Sequence, residues 1–177
     1  MTEVQLIEAC KREESFAQRL LYERYVDSMY LLCLRYIPGV ADAEEVLSDA
    51  FIKCFRHIHQ FSYAGEGSMK AWLSKILVNE CLMFLRRKKQ LVISIDKENS
   101  MPEPAAYDQN ALDQMHAGEI LKYIQQLPTG YRTVLNLYVF EDMGHKEIAA
   151  LLQISESTSK SQLFKARALL KQKMQLG

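Results

Sequence analysis

Gly144-His145-Lys146-Glu147-Ile148-Ala149-Ala150-Leu151-Leu152-Gln153-Ile154-Ser155-Glu156-Ser157-Thr158-Ser159-Lys160-Ser161-Gln162-Leu163-Phe164-Lys165-Ala166-Arg167 is the stretch on which the fold turns. Ile148, Ala149 and Leu152 fall on one side of a short helix from Gly144 to Leu152. Gln153-Ile154-Ser155-Glu156 reads as a tight turn, and a longer helix from Ser157 to Met174 keeps Leu163, Ala166, Leu169 and Leu170 inward. Two helices joined by so short a turn, with the small Ala149 at the crossing, form a helix-turn-helix pattern. The second helix carries Lys160, Lys165, Arg167, Lys171 and Lys173, with Ser157, Thr158, Ser161 and Gln162 near its start. A recognition helix sets its N-terminal residues against base edges. Ser, Thr and Gln can read those edges, while Lys and Arg neutralise phosphates. The competing reading is a bundle helix with a solvated basic face, and the preceding turn and short helix weigh against it.

Outward from this motif the pattern stays helical. Apolar residues at i, i+3, i+4 spacing predict helices over 112–126 and Tyr131–Phe140, and earlier over Val4–Cys10, Ser15–Tyr36 and Met69–Lys89. Pro38-Gly39 stops the Ser15–Tyr36 helix; Asp42, with Glu45 three residues on, reads as the N-cap of the next. Only Val92–Ile95 offers strand-like alternation. The expected class is all-α, with two small helical domains, 1–90 and 112–177, joined by a linker at about 91–111. The linker is drawn from the prolines and polar residues of Asp96-Lys97-Glu98-Asn99-Ser100-Met101-Pro102-Glu103-Pro104. Net charge is zero over the chain but +1 over 1–95, −5 over 96–119 and +4 over 120–177. Arg86-Arg87-Lys88-Lys89 forms a basic block that can be a phosphate footprint.

Several function classes are set aside. No apolar run approaches the roughly 18 residues of a membrane span, and no basic start with an apolar segment marks a secretory signal, so a cytoplasmic protein is expected. Cys10, Cys33, Cys54 and Cys81 include no C-x-x-C pair and read as small buried hydrophobes. His57 and His59 stand two apart on a helix and face different sides, so they make a poor chelating pair, and no metal site is expected. No nucleophile motif and no glycine-rich phosphate loop is present; neither catalysis nor a cofactor is expected.

The segment Leu127-Pro128-x-x-Tyr131-Arg132-x-Val134, His145-Lys146-Glu147-Ile148-Ala149, Ile154-Ser155-x-x-Thr158-x-Lys160-Ser161 and Ala166-Arg167 resembles the C-terminal DNA-binding domain of bacterial sigma factors. Asp42-Ala43-Glu44-Glu45-Val46-x-x-Asp49-x-Phe51-Ile52-Lys53 resembles the polymerase-binding helix of the same family. Trp72-Leu73-x-x-Ile76-x-Val78-Asn79-Glu80 followed by Phe84-Leu85-Arg86-Arg87-Lys88 resembles its promoter-melting helix. Two such matches in this order, separated by one linker, resemble the extracytoplasmic-function (ECF) subfamily of the sigma-70 family, which keeps only sigma domains 2 and 4.

The resemblance implies a non-enzymatic factor whose partners are core RNA polymerase and promoter DNA. Asp42, Glu45 and Asp49, with Glu44, would meet basic residues of the polymerase, and Val46, Phe51 and Ile52 would add apolar area. Loop 61–68 would hold a base extruded from the minus-ten element, which offsets the few kcal/mol that flipping costs. Lys70, Lys75, Asn79, Arg86, Arg87 and Lys88 would meet single-stranded DNA; the Asn amide both donates and accepts. Trp72 reads as core. Thr158, Lys160, Ser161, Gln162 and Lys165 would meet the minus-35 element, with Leu163 inward and Phe164 open to either side. Arg132 begins a helix whose N-terminus would hold a phosphate. An anti-sigma protein is an implied partner. The acidic linker is expected to lie in a basic polymerase channel. The alternatives are a stand-alone helix-turn-helix regulator, which has no need of a promoter-melting helix, and a helical interaction bundle, which has no need of the basic segments.

Overall fold

The computed structural model describes residues 1–88, 90, 91 and 117–176. Most of the expected linker and the Val92–Ile95 segment lie outside the described residues. The chain divides into two compact units, Met1–Lys88 and Lys89–Gly177, each described here by itself.

The first unit holds four α-helices, α1 (Glu3–Lys11), α2 (Ser15–Tyr36), α3 (Val40–His57) and α4 (Ser68–Arg87), and a short 3-10 turn, Ile58–Gln60, after α3. Thr2 caps α1 reciprocally: its hydroxyl accepts the Gln5 N–H at 3.3 Å, and the Gln5 side chain accepts the Thr2 N–H at 3.0 Å. α3 begins at Val40 with Gly39 as its N-cap, so Asp42 lies inside the first turn and the Asp42–Glu45 capping box is not formed. The reason is local. Gly39 is extended and its carbonyl already accepts the Ala43 N–H, so the helix starts directly after Pro38-Gly39. Asp42 still complements the positive end of the helix dipole.

The core lies between α2, α3 and α4, with Leu21, Met29, Tyr36, Ile58, Leu73, Leu77 and Leu82 almost wholly buried. Each such side chain contributes about 1.5–3 kcal/mol of burial. All four cysteines are buried free thiols in this core. The Cys33 thiol donates to the Ala43 carbonyl at 3.3 Å, and its Sγ lies 3.8 Å from that of Cys81. Burial pushes the Cys10 thiol up to about 11 and the Cys54 thiol up to about 12.

The second unit holds α5 (Ala117–Gln125), α6 (Thr129–Leu135), α7 (His145–Leu152) and α8 (Glu156–Leu176). α8 packs against α5, α6 and α7. Arg132 on α6 turns back to α5: Nη1 donates to the Leu127 carbonyl at 2.8 Å and to the Gln125 carbonyl at 3.4 Å. It thus serves the carbonyls that the end of α5 leaves open. Arg132 is 5% exposed, and burial lowers its guanidinium to about 10. α6 thus starts at Thr129, three residues before Arg132, whose guanidinium is committed inside the fold.

α6 runs into a single π turn, Asn136–Phe140, which Asn136 steadies by donating from Nδ2 to the Arg132 carbonyl at 2.9 Å. α7 ends on Gln153 in the left-handed conformation (φ 57°), a position more often held by glycine. Ser155 opens α8: its Oγ accepts the Thr158 N–H at 3.0 Å.

Candidate nucleic-acid and polymerase interface

On α4, Lys75, Asn79 and Arg86 are exposed. At 3.6 residues per turn they fall within about 40° of one another around the helix. Trp72 borders the same face, half-buried, with its ring 5.1 Å from that of Phe61. The face therefore offers one aromatic, one amide and two cations, the mixture that single strands need for stacking and backbone tracking. Lys70 is exposed but lies roughly 140° round the helix from Lys75, so it does not share this face. Arg87 and Lys88 are exposed at the helix end, each with its cation 5.6 Å from the centre of the buried Phe84 ring. Lys89 lies outside the described residues. Glu80 turns the other way, and its carboxylate accepts from Lys53 Nζ of α3 at 2.6 Å. This pair ties α4 to α3 beneath the exposed face.

On α3, Glu45, Asp49, Ile52 and Arg56 make an exposed strip at spacings of four, three and four. Glu44 is exposed beside it. Phe51 is placed otherwise than expected. It is 3% exposed, edge-on to the Tyr22 ring at 4.7 Å, and belongs to the core with Val46. The large apolar side chains that α3 leaves open are Ile52, 55% exposed, within this strip and Val40, 57% exposed, at its start. Glu45 also meets Arg87 across the helices at 3.7 Å, a pair too exposed to contribute more than about 1 kcal/mol.

The loop expected over 61–68 ends at Gly67, because Ser68 already belongs to α4, and this loop 61–67 is anchored at both ends. Phe61 is buried against Trp72, and Gly67 (φ 81°) starts α4. Tyr63 between them is exposed.

On α8, Ser157 and Lys160 are exposed and Ser161, Phe164 and Lys165 are half-buried. Phe164 thus falls on the outward side, while Leu163 is buried. Thr158 and Gln162 are also buried, at 8% and 3% exposed, which corrects the expectation that they read bases. The physical reason is helical phase. They lie on the side of α8 that carries Leu163 and Ala166, and residue type alone had placed them outward. That inward side is polar in its first turns. Ser159 Oγ and His145 Nδ1 share a hydrogen bond of 2.8 Å, joining the two helices of the motif. The Tyr138 ring, delivered by the π turn, stacks on His145 at 4.8 Å, and the Arg167 guanidinium lies 5.4 Å from the Tyr138 ring centre. Burial, then Lys160 and Arg167, hold His145 below its ordinary value. The π turn and this His145 junction had no distinct signal in the sequence.

Comparison with known proteins follows this division into units. The family model for Sigma-70 region 2 matches residues 21–90, and that for Sigma-70 region 4 matches residues 117–170. The ECF RNA polymerase sigma factor SigM of Bacillus subtilis (strain 168) is 31% identical over 153 residues, covering 85% of this chain and 91% of that protein. The chain belongs to the ECF RNA polymerase sigma factor family. This sigma factor is also 27% identical over 185 residues to the ECF RNA polymerase sigma-E factor of Escherichia coli (strain K12), covering 99% of this chain and 95% of that one. Its fold resembles the solved structure of CnrH in complex with the cytosolic domain of CnrY, with a TM-score of 0.51 and 19% identity over 97% of this chain and 96% of that one. A stand-alone helix-turn-helix regulator is not favoured, because the first unit is itself matched as a sigma region. Among the described residues no helix of this sigma factor is long and apolar enough to cross a membrane, and no three or more His, Cys, Asp or Glu side chains gather as a metal site.

Proposed function

We propose that this sigma factor acts in the cytoplasm without catalysing a reaction, binding core RNA polymerase and directing it to promoters by reading a minus-35 and a minus-ten element and helping to open the duplex. The observation that carries the reading is the exposed α4 face of Lys75, Asn79 and Arg86, bordered by the half-buried Trp72, in one unit, paired with a helix-turn-helix in the other. In this proposal residues 1–90 bind polymerase and the minus-ten element, 91–111 link, and 112–177 read the minus-35 element. Glu45 and Asp49, with Ile52, meet polymerase, and Asp42 adds charge at the helix start. Lys75, Asn79, Arg86, Arg87 and Lys88 follow the opened strand, while Lys70 contacts backbone from another side. Loop 61–67 receives the extruded base. Lys160, Ser161 and Lys165 meet the minus-35 duplex, with Ser157 and Phe164 beside them.

An anti-sigma protein that covers these faces is the further partner in this reading. Support comes from the family and from CnrH, which was solved in complex with the cytosolic domain of CnrY.

The test is run-off transcription with purified core polymerase over a library of promoter fragments. Initiation that depends on this chain supports the proposal, and the selected sequences give both elements. No initiation, with tight duplex binding by the chain alone, overturns it in favour of a regulator.

A further inference from the structure

One side chain of α1 reaches two parts of the first unit that are distant in sequence. Glu3 Oε1 accepts the Tyr25 hydroxyl of α2 at 2.8 Å, and Glu3 Oε2 accepts the Gly67 N–H at 3.2 Å. Gly67 is the residue on which the loop ends and α4 begins, and its φ of 81° turns the chain there. α1 is itself fixed: Leu6, Ile7, Ala9 and Cys10 are buried, and Thr2 caps it. Tyr25 is 8% exposed, so the hydroxyl end of this bridge is held by packing. The loop adds bonds of its own: the Ser68 N–H donates to the Gly65 carbonyl at 3.1 Å, and the Ala64 N–H to Ser68 Oγ at 3.3 Å.

The stretch that would receive a flipped base is therefore clamped by Phe61 against Trp72 at its start and by a carboxylate at its end. Between the clamps stands the exposed Tyr63. A charged acceptor makes a stronger hydrogen bond than a neutral one, and its two oxygens serve two donors at once. We infer that Glu3 is a positioning residue for promoter opening: through Tyr25 and Gly67 it sets the geometry of loop 61–67 and the start of α4, and so governs discrimination within the minus-ten element. The inference rests on the function proposed above.

The test uses the full chain with core polymerase. Wild type, Glu3→Ala, Glu3→Gln and Tyr25→Phe are compared for core affinity, for strand opening followed by fluorescence of a base analogue in the minus-ten element, and for relative use of minus-ten and minus-35 base variants. Expected for Glu3→Ala are core affinity within about twofold of wild type, opening slowed about five- to tenfold, and weakened discrimination among minus-ten variants with minus-35 discrimination unchanged; a tenfold loss corresponds to about 1.4 kcal/mol. Glu3→Gln keeps one oxygen acceptor and should recover part of the loss, and Tyr25→Phe should show a smaller loss of the same kind. Opening and minus-ten discrimination equal to wild type would overturn the inference, as would an equal fall in core affinity and opening in all three variants, which marks a purely structural residue. If wild type itself fails to open promoters, the proposed function fails, a result distinct from either of these.

Discussion

Lys160 and Gln162 stand two residues apart on α8 and face opposite ways. Their substitutions should therefore part company. Gln162→Ala removes a buried polar side chain and is expected to lower the stability of the second unit by about 1–2 kcal/mol while leaving base preference at the minus-35 element unchanged. Lys160→Ala should leave melting unchanged, weaken promoter binding of the holoenzyme across sequences, and reduce the salt slope by about one. Thermal melting and salt-dependent promoter binding separate the two; a minus-35 preference altered by Gln162→Ala would contradict its burial. His145 gives a pH dependence of definite sign. Burial and the two cations hold it below 6.5, so the unfolded chain takes up a proton before the folded one does. Its contribution is complete above about 6.5 and is lost as pH falls from there toward the folded-state value. His145→Gln should flatten the melting profile below about pH 6.5 relative to wild type; parallel profiles would show that His145 does not carry the dependence.

Among the elements, the turn of the helix-turn-helix holds a non-glycine residue in the left-handed region, Gln153 at φ 57° and ψ 44°. A side chain there costs about 1–2 kcal/mol, against about 0.5–1 kcal/mol for the extra freedom glycine has when unfolded. Gln153→Gly should therefore stabilise the unit by about 0.5–1 kcal/mol, seen as a melting temperature raised by roughly 2–8 °C. A lowered temperature would mean that the Gln153 side chain makes up for its backbone. The helices themselves were legible from apolar spacing. α2 matches its expected Ser15–Tyr36 span, and α7 and α8 differ by a residue or two at their ends. What spacing missed was of two kinds. Thr158 and Gln162 are expected outward from residue type and Phe51 from the family resemblance, whereas burial follows phase around the helix. The Arg132 bonds to the end of α5, the π turn and the Glu3 bridge depend on partners several or many residues away, and a one-dimensional period carries no such information.

For the whole molecule, charge is arranged by segment: the −5 of residues 96–119 sits between parts carrying +1 and +4. Neutralising Asp96→Asn, Glu98→Gln, Glu103→Gln and Asp108→Asn together should impair open-complex formation while sparing core affinity, measured by the same transcription and binding assays. Unchanged transcription would remove the linker from the opening step. A separate consequence concerns the cysteines. All four lie in the first unit, buried, and none in the second. Their reaction with a maleimide in solution must wait for the first unit to come apart, because the thiols are out of reach while it is folded. Intact mass after timed labelling then counts molecules in which that unit has opened, and it stays blind to the other. The wild-type chain thus carries a clock for the excursions of one half of itself, with no residue changed to install it.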